Sequence, residues 1–180
     1  MATTAAGTPY VESADLVANY PGVSLALANH IDTIGKVRQV IRSTDTTERS
    51  TTSTSLTDTG MSVTITPTKT NSNIILIASM YANIFSSASV SDLRGTLVIT
   101  DNSNNLISGA QNNNYGGFNI NQGSGLATLE SIAVLIGYNS PNTLSATTYK
   151  IRFKTFTASA TARLSNNTNT GQILAIEVAA

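Results

Sequence analysis

Residues 145–156 read SATTYKIRFKTF. Tyr149, Ile151 and Phe153 alternate with Lys150, Arg152 and Lys154. In a β-strand, side chains two apart share a face. One face is therefore aromatic and aliphatic, and the other carries three cations. A helix would spread those cations around its cylinder and bury at least one. The stretch reads as a long antiparallel strand with one face on a core and one in water.

The two-residue rhythm recurs from Lys36 onward. Val37, Gln39 and Ile41 alternate with Arg38, Val40 and Arg42. The run STDTTERSTTSTSLTDTG (43–60) is a loop or, since threonine favours strands, holds an edge strand over 50–56 that ends in a turn at Asp58–Gly60. Met61, Val63 and Ile65 alternate with polar residues up to Pro67. IILIASMYANI (74–84) is almost continuously apolar, as expected of a strand covered on both sides. Strands follow over 93–100, from Leu106 to Ser108, over 126–138, 161–164 and 172–178, with turns at 101–105, 139–142 and 166–171. In 126–138 the core candidates are Leu129, Ile132, Val134 and Ile136. That is about nine strands, spaced as in an antiparallel sandwich or jelly roll.

Residues 1–35 break the rhythm. Ser13 and Asp15 suit the start of a short helix that Pro21 ends. Val23, Leu27 and Ile31 suit a second helix, although VSLAL also permits a strand. The apolar residues Tyr10, Val11, Leu16, Val17, Tyr20, Val23, Leu25, Leu27 and Ile31 are too few for a separate core. A segment that short is marginal in water, so it is expected to order against something else, either its own sandwich or, as the favoured reading, a partner surface. The expected fold is all-β: an antiparallel β-sandwich of the jelly-roll type over 36–180, preceded by an extended, partly helical arm over 1–35.

Composition narrows the function classes. With 180 residues the chain needs no staples, since a domain of this size buries roughly 70% of its unfolded surface. It has no cysteine, so disulfides and thiolate metal sites are excluded. Ten cations balance ten anions and are spread out, which argues against a nucleic-acid partner. No apolar run reaches the ~20 residues of a membrane-spanning helix, and no signal peptide is visible. His30, the lone histidine, lies in the arm and suits a surface role better than a metal site or a nucleophile triad. The carboxylates Asp45, Glu48, Asp58, Asp92, Asp101, Glu130 and Glu177 fall mostly at expected turns rather than as a facing glycosidase pair. The expectation is therefore a non-enzymatic chain with no cofactor and no metal.

Two stretches invite binding. QNNNYGGFNINQGSG (111–125) is rich in asparagine and glycine. Asn112, Asn113, Asn114, Tyr115, Phe118 and Asn119 there combine amides with ring faces, which suits a glycan. The same residues also suit a tight loop that needs positive φ angles. The cationic row of 150, 152 and 154 suits an acidic polysaccharide or a plain solvated face.

Three stretches together resemble virion proteins of tailed bacteriophages, cyanophages in particular: STTSTSLTDTGMSVTITPTKTNSNIILIAS (50–79), LSATTYKIRFKTF (144–156) and QILAIEVA (172–179). They look like the β-sandwich module of tail fibres and related appendages. TPYVESADLVANYPGVSLALANHIDT (8–33) looks like a particle-attachment segment. The resemblance implies a structural or adhesive role in a virion, usually as a homotrimer. It implies other virion proteins as partners of the arm, and a host-surface glycan as a possible ligand. A decoration, cement or capsid-fibre protein on the capsid is the alternative, and a carbohydrate-processing module is the third reading.

Overall fold

The computed structural model describes residues 2–3, 9–10, 24–27, 37–87, 93–118 and 127–179. The chain separates into two compact units, Met1–Lys36 with Ala179, and Val37–Val178. In the first unit, β1 (Ala2–Thr3) pairs antiparallel with β2 (Pro9–Tyr10), and residues 24–27 are helical.

The second unit is a β-sandwich. Its strands are β3 (Val37–Asp45), β4 (Glu48–Thr51), β5 (Thr57–Ile65), β6 (Asn73–Ser86), β7 (Leu93–Asp101), β8 (Leu106–Phe118), β9 (Ala127–Asn139), β10 (Thr147–Thr155), β11 (Thr161–Ser165) and β12 (Gly171–Val178). Sheet one runs β3-β12-β6-β9 and sheet two β5-β10-β7-β8, with β8 touching β9 to link them. β3 pairs with β12, β5 with β10, β6 with β9 and β7 with β8, all antiparallel. First pairs with last and each inner strand with its mirror partner, as in one long hairpin rolled into two sheets. That is the jelly-roll order. The short β11 shares an edge of β6 with β12 and carries β4 outside it.

SATTYKIRFKTF forms β10, in the middle of sheet two between β5 and β7. Tyr149, Ile151 and Phe153 are buried. They meet Met61, Val63 and Ile65 of β5, Leu97 and Ile99 of β7, and Ile74, Leu76 and Met80 of β6 in one core. Each such side chain contributes about 1.5–3 kcal/mol on burial. The Tyr149 hydroxyl donates to Asn139 Oδ1 at 2.8 Å. Burial, helped by the Asp101 charge, pushes its phenol up to about 12.

Three expectations fail here. Asp58–Gly60 is no turn between strands. It lies inside β5, where the register with β10 slips between Lys150 and Arg152. Gly60 has φ of 73°, and Asp58 Oδ1 accepts its N–H at 2.7 Å, so the signal marks a bulge. The expected edge strand over 50–56 is β4, which spans Glu48–Thr51. The expected loop beginning at Gln111 is strand through Phe118, because β7 supplies a partner for it, though at three points the register shifts. Asparagine and glycine there mark irregular pairing rather than chain reversal.

Candidate functional site

The phase of β9 decides the surface. Ala133 and Leu135 point inward, each 2% exposed, while Ile132 is 70% exposed, Val134 53% and Ile136 60%. The expectation that Ile132, Val134 and Ile136 belong to the core is thus overturned; only Leu129 packs against it. The cause lies at Gly137. A Cβ there would stand 2.7 Å from Ala110 Cβ and 2.9 Å from Ile107 Cγ2 of β8. The sandwich is too thin at this end to take a large side chain. Slipping β9 by one residue would force isoleucines into that space. The large residues therefore face outward.

They do not stand alone. Across sheet one, Val40, Ile176, Ile75 and Tyr138 lie in one row by register, and Arg42, Leu174, Ile77 and Ile136 in the next. Thr44, Gln172, Ser79 and Val134 form a third, and Tyr81 and Ile132 a fourth. Val37 and Val178 extend the patch beyond the first row. With strands ~4.8 Å apart and ~6.7 Å between rows, the patch is about 15 by 27 Å. Val37, Val40 and Tyr138 are also half exposed or more. With Ile132, Val134 and Ile136, at on the order of 100 Å² apiece, they leave roughly 600 Å² of mostly apolar surface bare. That sits at the top of what a monomer tolerates, about 300–600 Å², before the half-buried Ile75, Ile77, Leu174 and Ile176 are added.

The rim is polar. Arg42 Nε donates to Gln172 Oε1 at 3.1 Å on the β3 side. On the β9 side the Tyr81 hydroxyl donates to Glu130, and that bond, with burial, holds the phenol above its ordinary range. Arg163 stacks 5.0 Å over the Phe85 ring and lies 3.8 Å from Glu48.

The other carboxylates serve the framework. Asp101 accepts the N–H groups of Ser103 and Asn105 at 2.8 and 2.9 Å. Asp45 lies 2.6 Å from Arg49 and accepts Asn166 Nδ2 at 2.7 Å. Burial pushes its carboxyl up, but Arg49 and Asn166 outweigh that and hold it low. Glu177 is fully buried on β12. It accepts Gln39 Nε2 at 2.6 Å, Thr68 N at 2.7 Å and Thr68 Oγ1 at 2.8 Å. Burial opposes its charge. The Ser72 hydroxyl, which faces it without a regular hydrogen bond, acts with Gln39 and Thr68 to hold it down at about 2. Among the described residues no group of three histidine, cysteine or acidic side chains is placed to hold a metal.

The residues proposed from sequence fall elsewhere. Asn112, Asn113, Asn114, Tyr115 and Phe118 lie along β8, in the half paired with the start of β7; Asn119 is outside the described residues. Of the attachment residues, Tyr10 is in β2 and Leu27 in the short helix. Val11, Leu16, Val17, Tyr20, Val23 and Ile31 lie outside the described residues, as do His30 and Asp92. The cationic row of β10 is partly tied down: Lys150 Nζ lies 3.8 Å from Asp58, and Arg152 Nη2 donates to Leu56 O at 2.6 Å. The expectation that 74–84 is covered on both sides holds only for its inner face: Ile75 and Ile77 are half-buried on the outward face that they share with Ile136 and Tyr138 of β9, a face the reading of 126–138 missed.

No protein-family model matches the chain, and no curated protein does. Among solved structures, it is similar to the VP2 subviral particle of infectious bursal disease virus: 8% identity, TM-score 0.34, covering 79% of this chain and 40% of that one. The Gx strain of the same virus gives 11% identity and a TM-score of 0.29, covering 78% and 39%. The chain spans about two fifths of the length of these structures. At such scores the likeness adds nothing to the topology described above.

Proposed function

We propose that the chain is a non-enzymatic structural component of a virion, of the tail-appendage type. Residues 1–35 attach it to other virion proteins. Residues 36–180 are displayed as a jelly-roll module, assembled as a homotrimer, and meet host-surface glycan through the asparagine-rich half of β8. The observation that carries this reading is the outward face of sheet one, an apolar patch at the upper limit of what a free monomer exposes. The resemblance of the 50–79, 144–156 and 172–179 stretches to phage appendage modules supplies the setting.

The test is removal of residues 1–35. The truncated protein is expected to remain folded and to be missing from particles assembled with it. Normal incorporation would refute the attachment role. Antibody labelling of intact particles separates the positions: label on the tail fits the appendage reading, and label spread over the capsid makes the chain a decoration protein.

A further inference from the structure

We infer that the outward face of β3-β12-β6-β9 is where copies of this chain pack on one another, each turning this sheet toward the axis of the homotrimer. This inference deepens the assembly reading above and rests on it for its setting. It names which surface joins the copies, which neither the arm nor the asparagine-rich strand supplies.

Three observations choose this occupant. The first is that the face is built in. Gly137 against Ala110 and Ile107 leaves no room for the alternative register, so the isoleucines of β9 stay outside. The second is size. Six residues at half to seven-tenths exposure, with four more half-buried between them, offer roughly 600–800 Å², close to the ~800 Å² per partner of a stable interface. The surface is also flat and rich in β-branched side chains, which is what packs against another sheet at ~10 Å. The third is charge. Within these four strands, from the row of Val40 to the row of Ile132, Arg42 is the one charged outward residue; Glu130 follows beyond Ile132, and the paired Arg163 and Glu48 stand on the adjoining β11 and β4. The whole chain is formally neutral, with ten cations and ten anions. Copies meeting through this face therefore do not repel. A strongly charged partner would find almost nothing to pair with.

The interface core is Ile136 with Ile77 and Leu174, framed by Val134, Ile132 and Tyr138. Burying a lysine in that core leaves an unpaired charge, while the same lysine in a free monomer lies in water. Ile136→Lys and Val134→Lys should therefore spare the fold and break the assembly. Thr64→Lys, on the exposed face of sheet two, is the control.

The experiment is sedimentation velocity on the full chain and these variants from about 1 to 100 μM, with circular dichroism and urea midpoints to verify the fold. The wild type and Thr64→Lys are expected to run as one discrete oligomer. Ile136→Lys and Val134→Lys are expected to run as folded monomers, with self-association weakened about a hundredfold or more. A wild type that stays monomeric throughout the range overturns the inference. So do folded lysine variants that associate like the wild type, which would place the joining surface elsewhere. A monomer that still enters particles, and loses this with Ile136→Lys, shows another virion protein on the face: the inference fails and the virion reading stands. An oligomer abolished by the lysines but absent from particles is the reverse case.

Discussion

Replacing Glu177 with glutamine tests the most unusual buried group in the sandwich. The carboxylate joins three parts of the chain: its own β12, Gln39 of β3, and Thr68 in the link between β5 and β6. Its folded value is about 2, against 4.5 for a free glutamate. A depressed carboxylate stabilises the fold where it is charged. The contribution is therefore complete above about pH 4.5 and is lost as pH falls through about 2. The interval corresponds to roughly 3 kcal/mol at about 1.4 kcal/mol per pH unit. Glutamine keeps one acceptor and turns an N–H₂ toward donors that need acceptors, so most of that stabilisation goes. With a urea m-value of about 2 kcal/mol/M, the midpoint at pH 7 should fall by roughly 1–1.5 M. The assay is urea unfolding of wild type and Glu177→Gln at pH 7, 5, 4 and 3. The gap between the two midpoints should narrow steadily below pH 5, since every other carboxylate is common to both proteins. A gap that stays constant with pH would refute the reasoning, because the penalty would then be one of shape rather than charge.

Gly137→Ala should cost about 1–3 kcal/mol by overpacking against Ala110 and Ile107; an unchanged urea midpoint would mean that β8 and β9 are not in close contact there. Asn166→Ala removes a donor from Asp45, so the Asp45 carboxyl should titrate at higher pH in carbon-detected NMR; an unmoved titration would separate the two residues. Tyr149→Phe should cost about 1 kcal/mol for the lost bond to Asn139. In the wild type the Tyr149 phenol should stay un-ionised through pH 11, as ultraviolet difference titration of the two proteins would reveal.

The sandwich was legible where one face of a strand is plainly polar. The alternation in β10 and in Met61–Ile65 gave both the strand and its buried side, because water and core select opposite residue types. Legibility ended where both faces are apolar. In β9 the period-two pattern offers Ile132, Val134 and Ile136 or Ala133, Leu135 and Gly137 as the inner set, and bulk favours the wrong one. Only the approach of Ile107 and Ala110, 27 or more residues away in sequence, decides it. Glu177 was hidden for a related reason. Its inward neighbours Ile173 and Ala175 and its outward neighbours Leu174 and Ile176 are equally apolar, and the donors that make a buried carboxylate tolerable come from Gln39 and Thr68. Asparagine and glycine in 111–118 read as loop because local preference points there, but pairing to β7 overrides it. The candidate site was the least legible part. It is a property of four strands in register, assembled from residues 37 to 178.

Because the chain has no cysteine, one introduced thiol reports on the outward face directly. The measurement is the maleimide labelling rate of Val134→Cys, in the native chain and in the Ile136→Lys background, against Ser103→Cys in the exposed turn before β8. Slow labelling in the native assembly and labelling as fast as Ser103→Cys in the lysine background are the predicted results. Slow labelling in both backgrounds would contradict the account by returning Val134 to the core, and fast labelling in both would leave the face with no second copy upon it.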